Sequence, residues 1–230
     1  MKEETTSSEK ILNLDNQAKD IGMGGKFSPD SDESSYKKRM QQRKDIQTER
    51  LQLRKTKKGL LIVFTGNGKG KTTASLGMAL RTIGHGYRVA IVQFIKGSWT
   101  TGEEKALKSL SPNISWHSLG EGFTWETQDR IRDENLVQEA WQLAKKYIQK
   151  ESYKLIILDE INIATKLGYL APEEIITFLK GLNNRKNHIV LTGRGASDSI
   201  IDYADLVTEM KLIRHPFKEQ GIKAQKCIEF

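Results

Sequence analysis

Thr65-Gly66-Asn67-Gly68-Lys69-Gly70-Lys71-Thr72-Thr73 packs three glycines, two lysines and two adjacent hydroxyls into nine residues. It lies between an apolar run, Leu60-Leu61-Ile62-Val63-Phe64, and a helical pattern. A strand, a glycine-rich turn and a helix opening with Lys-Thr-Thr aim backbone N–H groups and a helix N-terminus at one point, where a polyphosphate can sit. Lys71 would bridge phosphate oxygens, and Thr72 would hold a magnesium ion. The usual pattern has four residues between its first glycine and Gly-Lys; counting back from Gly70-Lys71 puts Thr65 where that glycine belongs. The cradle is therefore tighter than usual. The bland alternative is an ordinary glycine-rich turn, against which stand the preceding strand and the Gly-Lys-Thr-Thr ending.

A second chemical signal is Leu155-Ile156-Ile157-Leu158-Asp159-Glu160, an apolar strand ending in two carboxylates. In a domain that carries a phosphate cradle, such a strand end brings acids next to a metal bound at Thr72. The sequence does not divide the work between Asp159 and Glu160. Three more clusters follow apolar strands: 93–99 with Gly102-Glu103, then 120–127, then Leu191-Thr192-Gly193-Arg194-Gly195-Ala196. Phe123 and Trp125 flank one short polar residue in a glycine-rich stretch, where they either plug their own domain or line a pocket for a flat ligand. Arg194, between glycines, can reach a phosphate or carboxylate bidentately, or stand exposed.

The elements that must position these groups alternate between buried strands and helices. The cradle's helix is expected from Lys71 to about Ile83, with Leu76, Ala79, Leu80 and Ile83 at helical spacing, and Gly84-His85-Gly86 ends it. Strands follow at 88–94, 114–117, 155–158, 188–191 and 206–210, with helices from about Thr127 to Lys150 and from Pro172. This is an α/β pattern: a mostly parallel sheet, helices on both faces, right-handed crossovers, and ligands beyond the carboxyl ends of the strands.

Before Gly59 the composition changes. Residues 1–34 are polar and net acidic without sustained apolar periodicity, as in a disordered tail. Residues 35–58 are strongly basic, and from Tyr36 to about Lys55 they lack Gly and Pro, which suits a helix with a thin apolar stripe. That helix is either a solvated basic face or a lid that docks elsewhere. The net charge of +8 is thus mostly a property of one segment, which argues against a nucleic-acid-binding face on residues 59–230. No apolar run approaches the roughly 18 residues of a membrane span, and the N-terminus lacks a signal-peptide core, so a cytoplasmic protein is expected. The lone cysteine, Cys227, is expected to be packed, and His85, His117, His188 and His215 show no ligand spacing.

Taken in order, Gly-Asn-Gly-Lys-Gly-Lys-Thr-Thr, Val-Gln-Phe-Ile-Lys-Gly, Gly-Phe-Thr-Trp-Glu-Thr, Leu-Asp-Glu, Thr-Gly-Arg-Gly and the ending Lys-Ala-Gln-Lys-Cys-Ile-Glu-Phe resemble the P-loop ATP:corrinoid adenosyltransferases. The resemblance spans about Tyr36 to Phe230. It departs at the added residues 1–34 and at Cys227, where the family usually has glycine.

The resemblance implies transfer of the 5′-deoxyadenosyl group of ATP to the cobalt of a reduced corrinoid, with triphosphate as leaving group. It implies that Gly66, Asn67, Gly68, Lys69, Gly70, Lys71, Thr72 and Thr73 wrap the triphosphate, with ATP reversed relative to most P-loop enzymes. Thr72 and Glu160 then hold magnesium, or manganese in its place, while Arg81 and Arg194 are candidates for phosphate or ribose contacts. Phe123 and Trp125 exclude the lower axial ligand of the corrinoid, which eases reduction of Co(II) to Co(I). The basic helix covers the corrinoid, typically across a homodimer, and a flavodoxin or other flavoprotein supplies the electron. Two other readings are a P-loop ATPase acting on nucleic acid and a nucleotide-dependent corrinoid carrier without turnover.

Overall fold

The computed structural model describes residues 7–20, 32–54, 56–95, 101–119 and 129–228. The chain divides into two units, Met1–Lys57 and Lys58–Phe230.

The first unit is a pair of helices, α1 (Ser7–Asp20) and α2 (Glu33–Leu53). The first is helical at Ser7–Asp20, where the sequence composition leads to the expectation of a disordered tail over residues 1–34. Ile11, Leu14 and Ala18 share one helical face, and Leu14 and Ala18 are buried where α1 packs along α2. Asp15 accepts two 2.9 Å hydrogen bonds from Arg54 and pairs with Arg50 at 2.7 Å, which holds its carboxyl below the usual range. The partner helix thus supplies what the local composition lacks. In α2, Asp32 caps the start by accepting from Ser35 N at 2.8 Å, and no residue of the helix is fully buried. Its thin apolar stripe leads to that.

The second unit is built on a six-stranded sheet, all of whose pairs are parallel: β1 (Leu61–Thr65), β2 (Arg88–Gln93), β3 (Ile114–Ser118), β4 (Tyr153–Asp159), β5 (His188–Thr192) and β6 (Leu206–Glu209). Their spatial order is β3-β2-β4-β5-β1-β6. Each expected strand is present within a residue or two of its expected ends. Both faces are covered, so the central strands read as continuous apolar runs whose alternate residues enter different cores. Leu61 and Val63 of β1 join Ile156, Leu158, Ile189 and Leu191 on one side; Ile62 and Phe64 join Leu155, Ile157 and Val190 on the other.

The first side is closed by α5 (Arg130–Ile148), α6 (Ile161–Lys166), α7 (Pro172–Lys180) and α8 (Asp198–Tyr203), with Trp141 fully buried at its centre. The other is closed by α3 (Lys71–Gly84) and α4 (Gly102–Leu110) through Leu76, Ala79 and Leu107. The sequence reading did not anticipate α4, α6, α8 or α9 (Pro216–Gln220), each of nine residues or fewer and too short to show a sustained period.

Beyond β6, at the sheet edge, most residues are exposed. Cys227, expected to be packed, is exposed there and has a left-handed φ of 73°. Its conformation is one that glycine adopts at no steric cost. Among the described residues no helix is long and apolar enough to cross a membrane.

Candidate active site

Parallel register brings four strand ends into one row. Phe64 of β1 pairs with Thr192 of β5, Leu158 of β4 with Leu191, and Gln93 of β2 with Asp159. The cradle therefore leaves β1 beside the ends of β5, β4 and β2, at the carboxyl edge where ligands bind in such sheets.

The turn at 66–70 is set by close approach. Gly66 has φ 95°, and a Cβ there would meet Met210 O at 2.5 Å; one on Gly68 would meet it at 2.7 Å. Gly68 N donates to that same carbonyl at 2.6 Å, so the shortened turn is pinned against the residue that follows β6. Gly70 opens α3 in the left-handed region, and no side chain caps the helix start. The first-turn N–H groups, which an α-helix leaves without intrahelical partners, are available to an anion. Lys71 is buried beneath the turn and donates to Gly66 O at 2.9 Å and Gly68 O at 2.6 Å. Burial pulls its pKa below the ordinary lysine value; Arg194 and Lys69 push the same way, and Glu160 and Asp159 oppose. Asn67, Lys69 and Thr73 are exposed on the turn and the first helical turn.

The two acids have different surroundings. Asp159 is buried, and both its oxygens are occupied: Oδ1 accepts from Thr72 Oγ1 at 2.9 Å and from Thr192 Oγ1 at 2.7 Å, and Oδ2 accepts from Gln93 Nε2 at 3.0 Å. The Gln93 amide is itself oriented, since its Oε1 accepts from Trp116 Nε1 at 3.1 Å and Ser118 Oγ at 2.7 Å. Glu160 has φ 59° and projects a buried Oε2 with no hydrogen-bond partner among the described residues. Burial, then the neighbouring Asp159, raises its pKa to about 7, against the pull of Lys71 and Arg194. These surroundings divide the pair as the sequence did not. Asp159 takes the Thr72 hydrogen and so turns that hydroxyl's lone pairs outward, while Glu160 offers an unclaimed oxygen. A hydroxyl oxygen and a carboxylate oxygen suit a hard divalent cation. Among the described residues no group of three or more His, Cys, Asp and Glu side chains forms a separate metal cluster.

The Gly193-Arg194-Gly195 turn completes this edge. Gly193 has φ 127°, and a Cβ there would lie 3.0 Å from both Asn162 Cβ and Glu160 Oε2. Arg194 is exposed, and its charge acts on Glu160 and Lys71. Arg81 is not brought to the cradle: it lies in the last turn of α3, about 15 Å along the axis from Lys71 at 1.5 Å per residue. Phe123 and Trp125 lie outside the described residues. The site residues that sequence reasoning left without a role are Gln93, Thr192 and Asn162. The first two share a readable signal, a polar residue closing an otherwise apolar buried strand.

Comparison with known proteins gives this edge a context. The chain is 45% identical over 209 residues to a corrinoid adenosyltransferase of Sinorhizobium sp, covering 90% of this chain and 97% of that protein. It is 43% identical to the corrinoid adenosyltransferase of Pseudomonas aeruginosa, covering 88% and 98%. With the corrinoid adenosyltransferase CobA of Salmonella typhimurium it shares 40% identity, covering 85% and 97%. Among solved structures, the flagellar accessory protein FlaH of Methanocaldococcus jannaschii is a loose likeness, with TM-score 0.46 and 18% identity over 66% of this chain and 71% of that one. The sequence pattern of the ATP:corrinoid adenosyltransferases BtuR/CobO/CobP matches residues 57–230, the whole unit that carries the cradle and the acid pair. By that match and these relatives, the chain belongs to the ATP:corrinoid adenosyltransferase family, enzymes that move an adenosyl group from ATP to a corrinoid.

Proposed function

We propose that the chain transfers the 5′-deoxyadenosyl group of ATP to the Co(I) centre of a reduced corrinoid, releasing triphosphate. The observation that carries this reading is the site's provision for a polyphosphate: an uncapped helix start, a buried Lys71 and a Glu160 oxygen with no hydrogen-bond partner among the described residues. The Co(I) electron pair forms the cobalt–carbon bond at the ribose 5′-carbon, the 5′ C–O bond breaks, and triphosphate leaves with that bond's electrons. Co(I) is itself the nucleophile, so no side chain has to remove a proton to activate it.

In this reading the residues from Gly66 to Thr73 wrap the triphosphate, and Lys71 stabilises the charge that grows on it as it leaves. The unpartnered Glu160 oxygen and the outward lone pairs of Thr72 fit magnesium, which when bound supplies positive charge against the same group. Arg194 reaches the phosphates from the exposed turn after β5. Phe123 and Trp125 form the wall that keeps the lower ligand off cobalt. The basic helix α2 covers the corrinoid of a partner copy in a homodimer, a flavoprotein reductase supplies the electron that makes Co(I), and the reaction runs in the cytoplasm without nucleic acid.

The test is incubation with ATP, magnesium, a corrinoid and a strong reductant. A light-sensitive cobalt–carbon product with one triphosphate per turnover is expected. Release of orthophosphate without any such product would overturn the proposal.

A further inference from the structure

We propose that Thr192 is a positioning residue for the whole acid pair, and that its single hydroxyl fixes both which oxygen Asp159 gives to Thr72 and where Glu160 projects. This rests on the reading of Thr72 and Glu160 as holders of magnesium.

Thr192 is fully buried at the end of β5, in a position where a β-branched apolar residue would satisfy strand and core equally well. A buried hydroxyl there is unfavourable unless it is hydrogen-bonded, and this one is bonded in both directions. It donates to Asp159 Oδ1 at 2.7 Å and accepts from Glu160 N at 2.9 Å. The second bond answers a specific need. β4 ends at Asp159, and Glu160 turns into the left-handed region with φ 59°, which takes its N–H out of the strand ladder. A non-glycine residue holds that conformation only where its surroundings over-determine it. Thr192 supplies the partner for the displaced N–H.

The first bond continues across the site. Asp159 Oδ1 also accepts from Thr72 Oγ1, so β5, β4 and α3 are linked through Thr192, Asp159 and Thr72 in one line. Gln93 holds the other Asp159 oxygen. With Oδ2 held and Oδ1 shared by two hydroxyls, the Asp159 carboxylate cannot swing toward a ligand. The neighbouring Gly193 lets the chain leave β5 without touching Glu160, because a Cβ there would come within 3.0 Å of Glu160 Oε2. Thr192, itself fully buried, thus orients Glu160 directly and Thr72 through Asp159.

The experiment is ATP binding by calorimetry in the absence of corrinoid, in magnesium and in EDTA, for the unaltered chain and for Thr192→Val, Thr192→Ser and Glu160→Gln. The quantity read is the gain in ATP affinity that magnesium confers. Outer-layer partners of metal ligands typically alter affinity about 10–100-fold, so Thr192→Val is expected to cut the gain by about tenfold or more. Its affinity in EDTA is expected to match the unaltered chain. Thr192→Ser, which keeps the hydroxyl, is expected to retain the gain within about twofold. Equal gains in Thr192→Val and the unaltered chain, with Glu160→Gln impaired, would overturn the inference and leave the magnesium reading standing. A loss in Thr192→Ser as large as in Thr192→Val would overturn it as well, by making packing the cause. No magnesium gain in the unaltered chain, or an undiminished gain in Glu160→Gln, would remove the reading beneath it. If Thr192→Val does not fold, Thr192→Ala, which places no apolar methyl against Asp159, is read in its place by the same criteria.

Discussion

Replacing Glu160 by Gln removes a charge that the fold itself disfavours. The Glu160 carboxyl is raised from 4.5 to about 7, first by burial and then by Asp159. In the unfolded chain the same group titrates near its ordinary value. Because the folded pKa is the higher one, the folded state binds the proton more tightly, and this contribution to stability is complete below pH 4.5. It falls as pH rises and is gone above about pH 7. At about 1.4 kcal/mol per pH unit, the ligand-free chain should lose about 2–3 kcal/mol through this group between pH 5 and pH 8. A glutamine of nearly the same shape stays neutral throughout, so Glu160→Gln should gain that much on the unaltered chain over the same interval. The assay is urea unfolding of both proteins without nucleotide at several pH values. Subtracting one curve from the other cancels groups common to both, including His117 and His188, which burial pushes down. Curves that stay parallel from pH 5 to pH 8 would refute the burial argument. The same subtraction with magnesium and ATP present should shrink, because a cation favours the ionised carboxylate.

Lys71→Ala should lower the rate of triphosphate release about 10²–10³-fold, the loss typical of one preorganised donor to a developing negative charge, and near-normal turnover would contradict the cradle. Gly193→Ala forces a side chain into φ 127° against Glu160 Oε2 and should lower stability by about 1–3 kcal/mol, read as a fall in the urea midpoint. An unchanged midpoint would mean that the turn can relax away. Trp125→Ala should spare transfer to chemically pre-reduced Co(I) but slow the reaction from Co(II); equal losses in both assays would favour a packing role.

The sheet was legible because its strands are buried on both faces. Leu155-Ile156-Ile157-Leu158 and Ile189-Val190-Leu191 are apolar whichever way each residue points, and that is the pattern a parallel sheet leaves in a sequence. The cradle was legible because its glycines answer to backbone sterics, which do not depend on distant residues. Helix α1 was not, since its face of Ile11, Leu14 and Ala18 becomes apolar burial only against α2, and its key pair joins Asp15 to residues 50 and 54. Local composition cannot report a bond that spans so much chain.

The acid pair shows the same limit inside the site, with a consequence for mechanism. Two adjacent carboxylates at a strand end look equivalent in the sequence, because what separates them arrives from β2, α3 and β5. Gln93, Thr72 and Thr192 take up Asp159 entirely, and none of the described residues bonds to Glu160 Oε2. An acid with both oxygens satisfied is a fixed orienting group, and an acid with a buried vacant oxygen is one whose ionised form awaits a positive partner. The pair therefore works in sequence along a line from β5 to α3: Thr192 sets Asp159, Asp159 sets Thr72, and Glu160 is left to face whatever charge the cradle admits. On the proposed magnesium reading, strengthening the hold on Asp159 would not make Glu160 a better ligand, whereas freeing Asp159 from Thr192 would give the site two competing carboxylates.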